Sequence, residues 1–235
     1  GNVASNLASL GAGQIWALGV TGRDPFASEM ISLMESAGIN TDYLLTQETS
    51  WSTHVYIKPH IGETEQSRID FGNFNRLSEE TAVSLLASLE KVSKEASLVI
   101  INQQVLSGIH TPFFRKKLVD VISSLPEKIF IADSRNFMED YTGAYRKMND
   151  SEAARLCGIA KQPGEIISRN EVLEFASQLN LRFGKPVFIT RGGNGSVVAG
   201  ENGITEVPGL MIISPTDTVG AGDSYLAGAA ATLAA

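Results

Sequence analysis

Residues 217–230 read DTVGAGDSYLAGAA, and the interpretation of the whole chain starts from this stretch. Gly220, Ala221 and Gly222 precede the acidic Asp223, and good helix formers follow. Backbone N–H groups at such a loop-to-helix junction can point at an anion, and the helix dipole favours negative charge there. A carboxylate beside an anion hole suits phosphoryl transfer to a hydroxyl, where the protein positions groups, stabilises charge and accepts a proton. The alternative is a glycine-rich turn that only opens a helix.

Composition limits the class of protein. The length of 235 residues suits one large α/β domain or a domain with a small appendage, and a composition of 43% hydrophobic and 19% charged residues favours a real core. The formal net charge of −7 gives no basic surface, so nucleic acid is not expected as a partner. Cys157 is the only cysteine, which excludes a disulfide framework and favours the cytoplasm. No apolar run reaches membrane-spanning length, so no membrane partner is expected.

Helical and strand-like segments alternate, which predicts an α/β fold with a mostly parallel sheet. The predicted helices cover residues 3–10, 25–37, 77–93, 112–124, 149–156 and 170–183, and a further helix opens at Gly222. The predicted strands cover residues 14–20, 98–101, 129–132, 187–190, 196–199 and 204–207. Residues 43–71 alternate loosely around a turn and predict a hairpin appendage. Because the ends look cut within elements, we expect parts of the domain before Gly1 and after Ala235.

Polar or glycine-rich loops directly follow the strands that end near residues 20, 132 and 190. In open α/β sheets, ligands bind outside the carboxyl ends of the strands, so these loops predict a site. Arg135 offers a guanidinium for phosphate, although a surface pair with Asp133 is the alternative. The loop 190–195 could wrap a nucleotide phosphate with its amides, or form a tight turn between two strands.

The segment Asn149-Asp150-Ser151-Glu152 supplies oxygen atoms at a helix start. Hard cations such as Mg²⁺ bind carboxylate and amide oxygens, often through water. The same spacing fits a helix cap, with Asn149 as the N-cap and Glu152 completing a capping box. The two interpretations are compatible. The P-loop motif and the dinucleotide fingerprint are both absent from the sequence.

Four segments together resemble the PfkB (ribokinase-like) carbohydrate kinases. Residues 217–230 resemble the C-terminal signature of that family at every position. Asn2-Val3-Ala4, with Leu10-Gly11 further on, resembles the tail of its N-terminal sugar-binding signature. Asn149-x-x-Glu152 resembles its Asn-x-x-Glu motif, and Thr190-Arg191-Gly192 resembles its Thr-x-Gly nucleotide loop. The stretches 2–22 and 66–71 are similar to the heptose-7-phosphate kinase type within the family.

The resemblance implies a three-layer α/β/α sandwich with a mostly parallel sheet and a small β-lid. It implies a single kinase domain over residues 1–235, truncated at both ends, with residues 43–71 contributing the lid. The implied reaction is ATP-dependent phosphorylation of a sugar or sugar-phosphate hydroxyl, with Mg²⁺ and, in many members, K⁺. Lid hairpins in this family often pair between subunits, so the resemblance is compatible with a homodimer.

Carried over by position, the resemblance also assigns roles to residues. Asp223 becomes the catalytic base, and the amides of Gly220, Ala221 and Gly222 form the anion hole. Asn149 and Glu152 organise Mg²⁺ and its water shell. Asn2 contacts the sugar, and Thr190 and Gly192 approach the nucleotide. We add Asn6 as a further candidate for substrate binding, and Gly195, Asp217 and the guanidinium of Arg135 as further candidates for nucleotide binding.

Two other functions stay open at this stage. One is a catalytically silent sugar- or nucleotide-binding relative, and the other is a nucleoside or vitamin kinase of the same fold. The presence of Asp223 together with Asn149 and Glu152 argues against the silent relative, which need not keep both a base and a metal organiser.

Overall fold

The computed structural model describes residues 1–62, 64–162, 165–210 and 219–235. Over this part of the chain, the protein divides into two compact units. The first unit comprises Gly1–Ala96 and Val105–Leu118, and the second comprises Ser97–Gln104 and Val119–Ala235. Both units combine helices with parallel strands, so the predicted α/β class is confirmed. Among the described helices, none has the length and apolar character needed to cross a membrane.

The first unit begins with a helix and a β-α-β arrangement. Its elements are α1 (Asn2–Ser9), β1 (Trp16–Thr21), α2 (Pro25–Ser36), β2 (Asn40–Thr46) and, after a hairpin, α3 (Glu79–Glu95). β1 and β2 pair in parallel, with α2 as their crossover, and α3 contacts both strands. Asp24 caps α2, because its carboxylate accepts a hydrogen bond of 3.0 Å from the amide of Ala27.

The hairpin of the first unit is shorter than the one predicted from the sequence. Its strands are β3 (Val55–Ile57), β4 (His60–Ile61), β5 (Thr64–Glu65) and β6 (Ile69–Phe71). β3 pairs antiparallel with β6, and β4 pairs antiparallel with β5. Residues 43–46 of the predicted hairpin segment instead belong to β2 and pair with β1. Several large apolar side chains of the hairpin are exposed, namely Tyr56, Ile57, Ile61 and Ile69.

A mostly parallel sheet organises the second unit. Its strands are β7 (Leu98–Gln103), β8 (Ile129–Ser134), β9 (Tyr145–Asn149), β10 (Val187–Thr190), β11 (Ser196–Gly200) and β12 (Gly203–Val207). Within the described residues the sheet is six-stranded, in the order β12-β11-β10-β9-β8-β7. The strands from β7 to β10 are parallel, and β11 and β12 add an antiparallel hairpin at one edge.

Helices accompany this sheet along the chain. They are α4 (Pro112–Ser124), whose first residues belong to the first unit, α5 (Asp150–Leu156), α6 (Arg169–Phe183) and α7 (Ala221–Ala234). α6 opens with a capping box between Ser168 and Glu171 and ends at Gly184, whose φ of 63° suits glycine. Its buried side chains recur at helical spacing and face β10 and β11; they are Val172, Phe175, Ala176 and Leu179.

The sequence does not predict strand β9, because two ionisable residues interrupt its apolar pattern. Arg146 and Lys147 are both buried there, at 2% and 7% exposure. The Arg146 guanidinium donates three hydrogen bonds to backbone carbonyls, which belong to Met138, Tyr141 and Ala144. It also lies 3.7 Å from the ring centroid of Phe183. Burial lowers the pKa of Arg146 to about 10, so the side chain stays charged at neutral pH.

We predict that Arg146→Met destabilises the fold, because three carbonyl oxygens in the segment 138–144 lose their buried donor. The free energy of unfolding should fall by about 3 kcal/mol or more in urea titrations. Arg23→Met is the matched control, since Arg23 is 78% exposed and forms a surface ion pair with the exposed Glu48. Equal effects of the two substitutions would contradict a structural role for the buried guanidinium.

Candidate active site

Three loops of the second unit follow parallel strands and lie at the same edge of its sheet. Because β7, β8, β9 and β10 run in parallel, their carboxyl ends lie together, and ligand sites form at such an edge. Asp133 on β8 is the register partner of Lys147 on β9, and Asn149 on β9 is the partner of Thr190 on β10. The sheet therefore brings the loops after β8, β9 and β10 to one place. Two of these loops, those near residues 132 and 190, are among the three that we predicted, whereas the predicted loop near residue 20 belongs to the first unit.

The loop after β8 carries Arg135, which we predicted as a phosphate contact. Its side chain is exposed, its amide donates to the carbonyl of Gln103, and its carbonyl accepts a 3.0 Å hydrogen bond from Arg155. The alternative of an Asp133–Arg135 pair is wrong, because Asp133 pairs with Lys147 instead. Gln103 fixes this loop: its amide oxygen accepts from the Ser134 hydroxyl (2.8 Å) and from the Asn136 amide (3.0 Å).

The start of α5 is a complete capping box. The amide of Glu152 donates to Asn149 Oδ1 at 2.8 Å, and the amide of Asn149 donates to Glu152 Oε2 at 2.9 Å. Burial raises the pKa of the Glu152 carboxyl, the Asn149 amide lowers it, and the charge of Asp133 raises it further. The capping interpretation is thus confirmed, and a role with a metal stays a prediction.

The oxygens of Asn149 and Glu152 nevertheless fit a hydrated cation. In the described part of the chain, no group of three or more His, Cys, Asp or Glu side chains could hold a metal directly. Each capping oxygen accepts one hydrogen bond, and carboxylate and amide oxygens retain further lone pairs. Because Mg²⁺ usually keeps several of its waters, one carboxylate and one amide oxygen are a suitable donor set.

The loop 190–195 is a tight turn between antiparallel strands. Thr190 and Ser196 are register partners in β10 and β11, and residues Gly192–Asn194 form a 3-10 turn. The Arg191 amide donates to the carbonyl of Gly195 at 2.8 Å, and Gly192 and Gly195 have positive φ values of 55° and 85°. The turn interpretation is correct, and nucleotide contact by Thr190, Gly192 and Gly195 stays a prediction compatible with it.

The start of α7 holds the residues that we predicted as the anion hole and base. Gly220 is the N-cap, with φ 81°, a backbone conformation that suits glycine. Ala221 and Gly222 follow, and the half-buried Asp223 lies in the first turn. The helix is anchored farther along by the buried Leu226, Ala227 and Ala230. Asp217, which we assigned to nucleotide binding, lies outside the described residues.

A buried ion pair between Lys147 and Asp133 lies beside this helix start, and we did not predict it from the sequence. Lys147 Nζ lies 2.7 Å from Asp133 Oδ2, and both side chains are about nine-tenths buried. A Cβ atom added at Gly222 would lie 2.9 Å from the same Nζ atom. The Lys147 end of the ion pair therefore lies against the first turn of α7. The one sequence feature that could have indicated Lys147 as a site residue is its position two residues before Asn149.

Asn2 and Asn6 belong to α1 of the first unit. They are four residues apart on one helix and so share a face. Asn2 is exposed and Asn6 is half-buried. Contact of either side chain with a sugar remains a prediction.

A family model describes the whole chain. The model of the pfkB family carbohydrate kinases matches residues 1–235. The chain belongs to this pfkB family. The resemblance inferred from the four sequence segments is confirmed.

Individual relatives agree with the pfkB assignment. The chain is 25% identical to the bifunctional protein HldE of Aliarcobacter butzleri over 240 residues, which cover 99% of this chain and 47% of that protein. It is 28% identical to the ribokinase of Schizosaccharomyces pombe over 214 residues, covering 89% of this chain and 64% of the ribokinase. The chain thus spans about half of the length of the HldE proteins that it resembles.

Solved structures share the fold of this pfkB chain. Phosphofructokinase-2 from Escherichia coli, in complex with potassium, superposes with a TM-score of 0.73 at 19% identity, covering 99% of this chain and 73% of that one. Ribokinase from Giardia lamblia gives a TM-score of 0.72 at 18% identity, covering 96% of this chain and 69% of that one. The predicted ribokinase-like α/β fold is therefore confirmed.

The turn 190–195 yields a testable distinction between two of its glycines. A side chain at Gly195 would collide with the backbone of Val207 and Gly209, whereas one at Gly193 would meet open space. We predict that Gly195→Ala lowers the free energy of unfolding by about 2 kcal/mol, and weakens ATP binding because the turn is displaced.

Gly193→Ala is the control and should leave stability and ATP affinity near the parental values. Urea titration and calorimetric titration with Mg·ATP provide the two measurements. Parental stability in Gly195→Ala would show that the turn tolerates a side chain that the geometry excludes.

Proposed function

We propose that this protein is an ATP-dependent carbohydrate kinase that transfers the γ-phosphoryl group to a hydroxyl of a sugar or sugar phosphate. Membership of the pfkB family supports the reaction class. The observation that carries the proposal is the start of α7, where Asp223 follows Gly220, Ala221 and Gly222 in the first turn. The amides of a helix start can bind an anion, and Asp223 in the first turn is proposed as the base beside them.

In this mechanism, Asp223 accepts the proton of the attacking hydroxyl. The amides of Gly220, Ala221 and Gly222 stabilise the charge on the group in transfer, because they are fixed by the helix before the reaction begins. Asn149 and Glu152 would hold the water shell of Mg²⁺, which neutralises phosphate charge when it is bound. Thr190, Gly192, Gly195, Arg135 and Asp217 are proposed to contact the nucleotide.

The acceptor is proposed to be a sugar or a sugar phosphate, with a heptose 7-phosphate among the candidates. Similarity to proteins named HldE and ribokinase supports this range. Asn2 and Asn6 are proposed to contact it. Transfer of labelled phosphate from ATP to a panel of sugars and sugar phosphates identifies the acceptor. Nucleotide binding without turnover on any sugar, nucleoside or vitamin would favour a silent relative.

The hairpin 55–71 is proposed to act as the β-lid and to pair with a second copy in a homodimer. Its exposed apolar side chains, among them Tyr56 and Ile69, support such a contact. The E. coli phosphofructokinase-2 structure in complex with potassium motivates a test for K⁺ dependence. Cys157 is free, which agrees with the proposed cytoplasmic location.

We predict that Asp223→Asn in the complete protein lowers kcat by about a thousandfold and leaves Mg·ATP affinity nearly unchanged, because only the base is lost. Steady-state kinetics and calorimetric titration give the two values. Asp42→Asn, at an exposed position of β2, is the control and should keep parental turnover. Parental turnover in Asp223→Asn would remove Asp223 as the base.

We predict that Glu152→Gln raises the Mg²⁺ concentration needed for half-maximal nucleotide affinity by about tenfold. Glutamine preserves the capping box but removes the negative charge that favours the cation. Calorimetric titration of ATP at several Mg²⁺ concentrations measures the shift, and thermal unfolding checks that the cap survives. An unchanged Mg²⁺ requirement with an intact fold would leave Glu152 as a capping residue alone.

A further inference from the structure

We propose that Lys147 binds the terminal phosphoryl group of the nucleotide, and that Asp133 is a positioning residue that holds the Lys147 ammonium at the start of α7. This inference deepens the proposed function and rests on it. The inference is based on the position of the buried Lys147 ammonium, which lies next to the N-terminus of α7, where the helix carries a partial positive charge.

The sheet itself fixes the ion pair. Asp133 and Lys147 are register partners on the adjacent parallel strands β8 and β9. Their side chains are 10% and 8% exposed, and the distance from Nζ to Oδ2 is 2.7 Å. Over the described residues, Asp133 is the one hydrogen-bond acceptor of this ammonium, which carries three N–H donors. The remaining N–H groups of the Lys147 ammonium can therefore donate to an oxygen atom of a ligand.

The ammonium contacts the first turn of α7. A side chain at Gly222 would place its Cβ 2.9 Å from Nζ and 4.0 Å from Cε of Lys147. The N-terminus of a helix carries a partial positive charge, so this position disfavours a cation. Asp133 offsets part of this repulsion. An anion bound at the helix start would offset the remainder, since it would interact with both the amides and the ammonium.

Stability alone gives little reason for the pair. A buried ion pair is often no better than apolar residues of similar volume, because both charges lose their hydration. Charged groups with unsatisfied donors are useful where a charged ligand must be held away from water. The location at the carboxyl edge of the sheet, beside Asn149, Glu152 and Gly222, fits that use.

The test compares two nucleotides that differ in the terminal group. Mg·AMP-PNP and Mg·ADP are titrated calorimetrically into the complete protein and its variants, without acceptor. In Lys147→Met, the affinity for AMP-PNP should fall by about tenfold, and the affinity for ADP by no more than about twofold. In Asp133→Asn, the affinity for AMP-PNP should fall by a smaller factor, again with little change for ADP. The double variant Lys147→Met/Asp133→Asn should lose no more AMP-PNP affinity than Lys147→Met alone. Lys116→Met, on the exposed face of α4, is the control.

A second variant keeps the test decisive if a lone buried charge impairs folding. In Lys147→Met/Asp133→Leu, an apolar pair replaces the ion pair and the thermal unfolding temperature should not fall. The inference predicts the same selective loss of AMP-PNP affinity in this variant. Parental affinity for both nucleotides, or an equal loss for both, would overturn it and leave a structural ion pair.

The outcomes also separate this inference from the proposed function. A parental protein that binds neither nucleotide overturns both. A parental protein that binds both nucleotides but phosphorylates no acceptor overturns the kinase proposal. The ratio of the two affinities in Lys147→Met then still decides whether the ammonium recognises the terminal group.

Discussion

The parallel pairing of β8, β9 and β10 is the constraint on which the candidate site depends. Three strands that run in one direction bring their following loops to one edge, and the register places Asp133 beside Lys147 and Asn149 beside Thr190. A shift of a single residue would turn each of these side chains to the other face. The chemistry of the site is thus specified by hydrogen bonds between strands, some distance from the reacting groups.

Strand β9 shows how one element serves two purposes. Successive side chains of a strand point to opposite faces, so Arg146 and Lys147 separate. Arg146 turns toward the segment 138–144 and the ring of Phe183 in α6, whereas Lys147 turns toward Gly222 in α7. The charge of Arg146 binds backbone carbonyls on one side of the sheet, whereas the charge of Lys147 lies at the candidate site on the other side. Helices on both sides are what the layered α/β/α arrangement requires.

Much of this arrangement could be predicted from the sequence, because it follows from local patterns. The capping spacing of Asn149 and Glu152, the helical periodicity of α6 and the turn 190–195 each depend on neighbouring residues alone. β9 could not be predicted, because two charged residues break its apolar pattern and their partners are visible only in the folded chain: Lys147 pairs with Asp133 on β8, and Arg146 donates to carbonyls of the segment 138–144. The start of the hairpin was misplaced for a similar reason: pairing of β2 with β1 is not visible in the sequence of residues 43–46.

Because Gly222 and Lys147 are in contact, the residue type that fits at position 222 depends on the side chain at position 147, although the two positions are far apart in the chain. A side chain at position 222 would force the Lys147 ammonium to shift, because an added Cβ would lie 2.9 Å from Nζ. Conversely, an alanine or serine at position 222 would be compatible with a shorter side chain at 147. Among related sequences, the side-chain lengths at positions 147 and 222 should therefore vary together. A substitution at one of the two positions changes which side chains the other can carry.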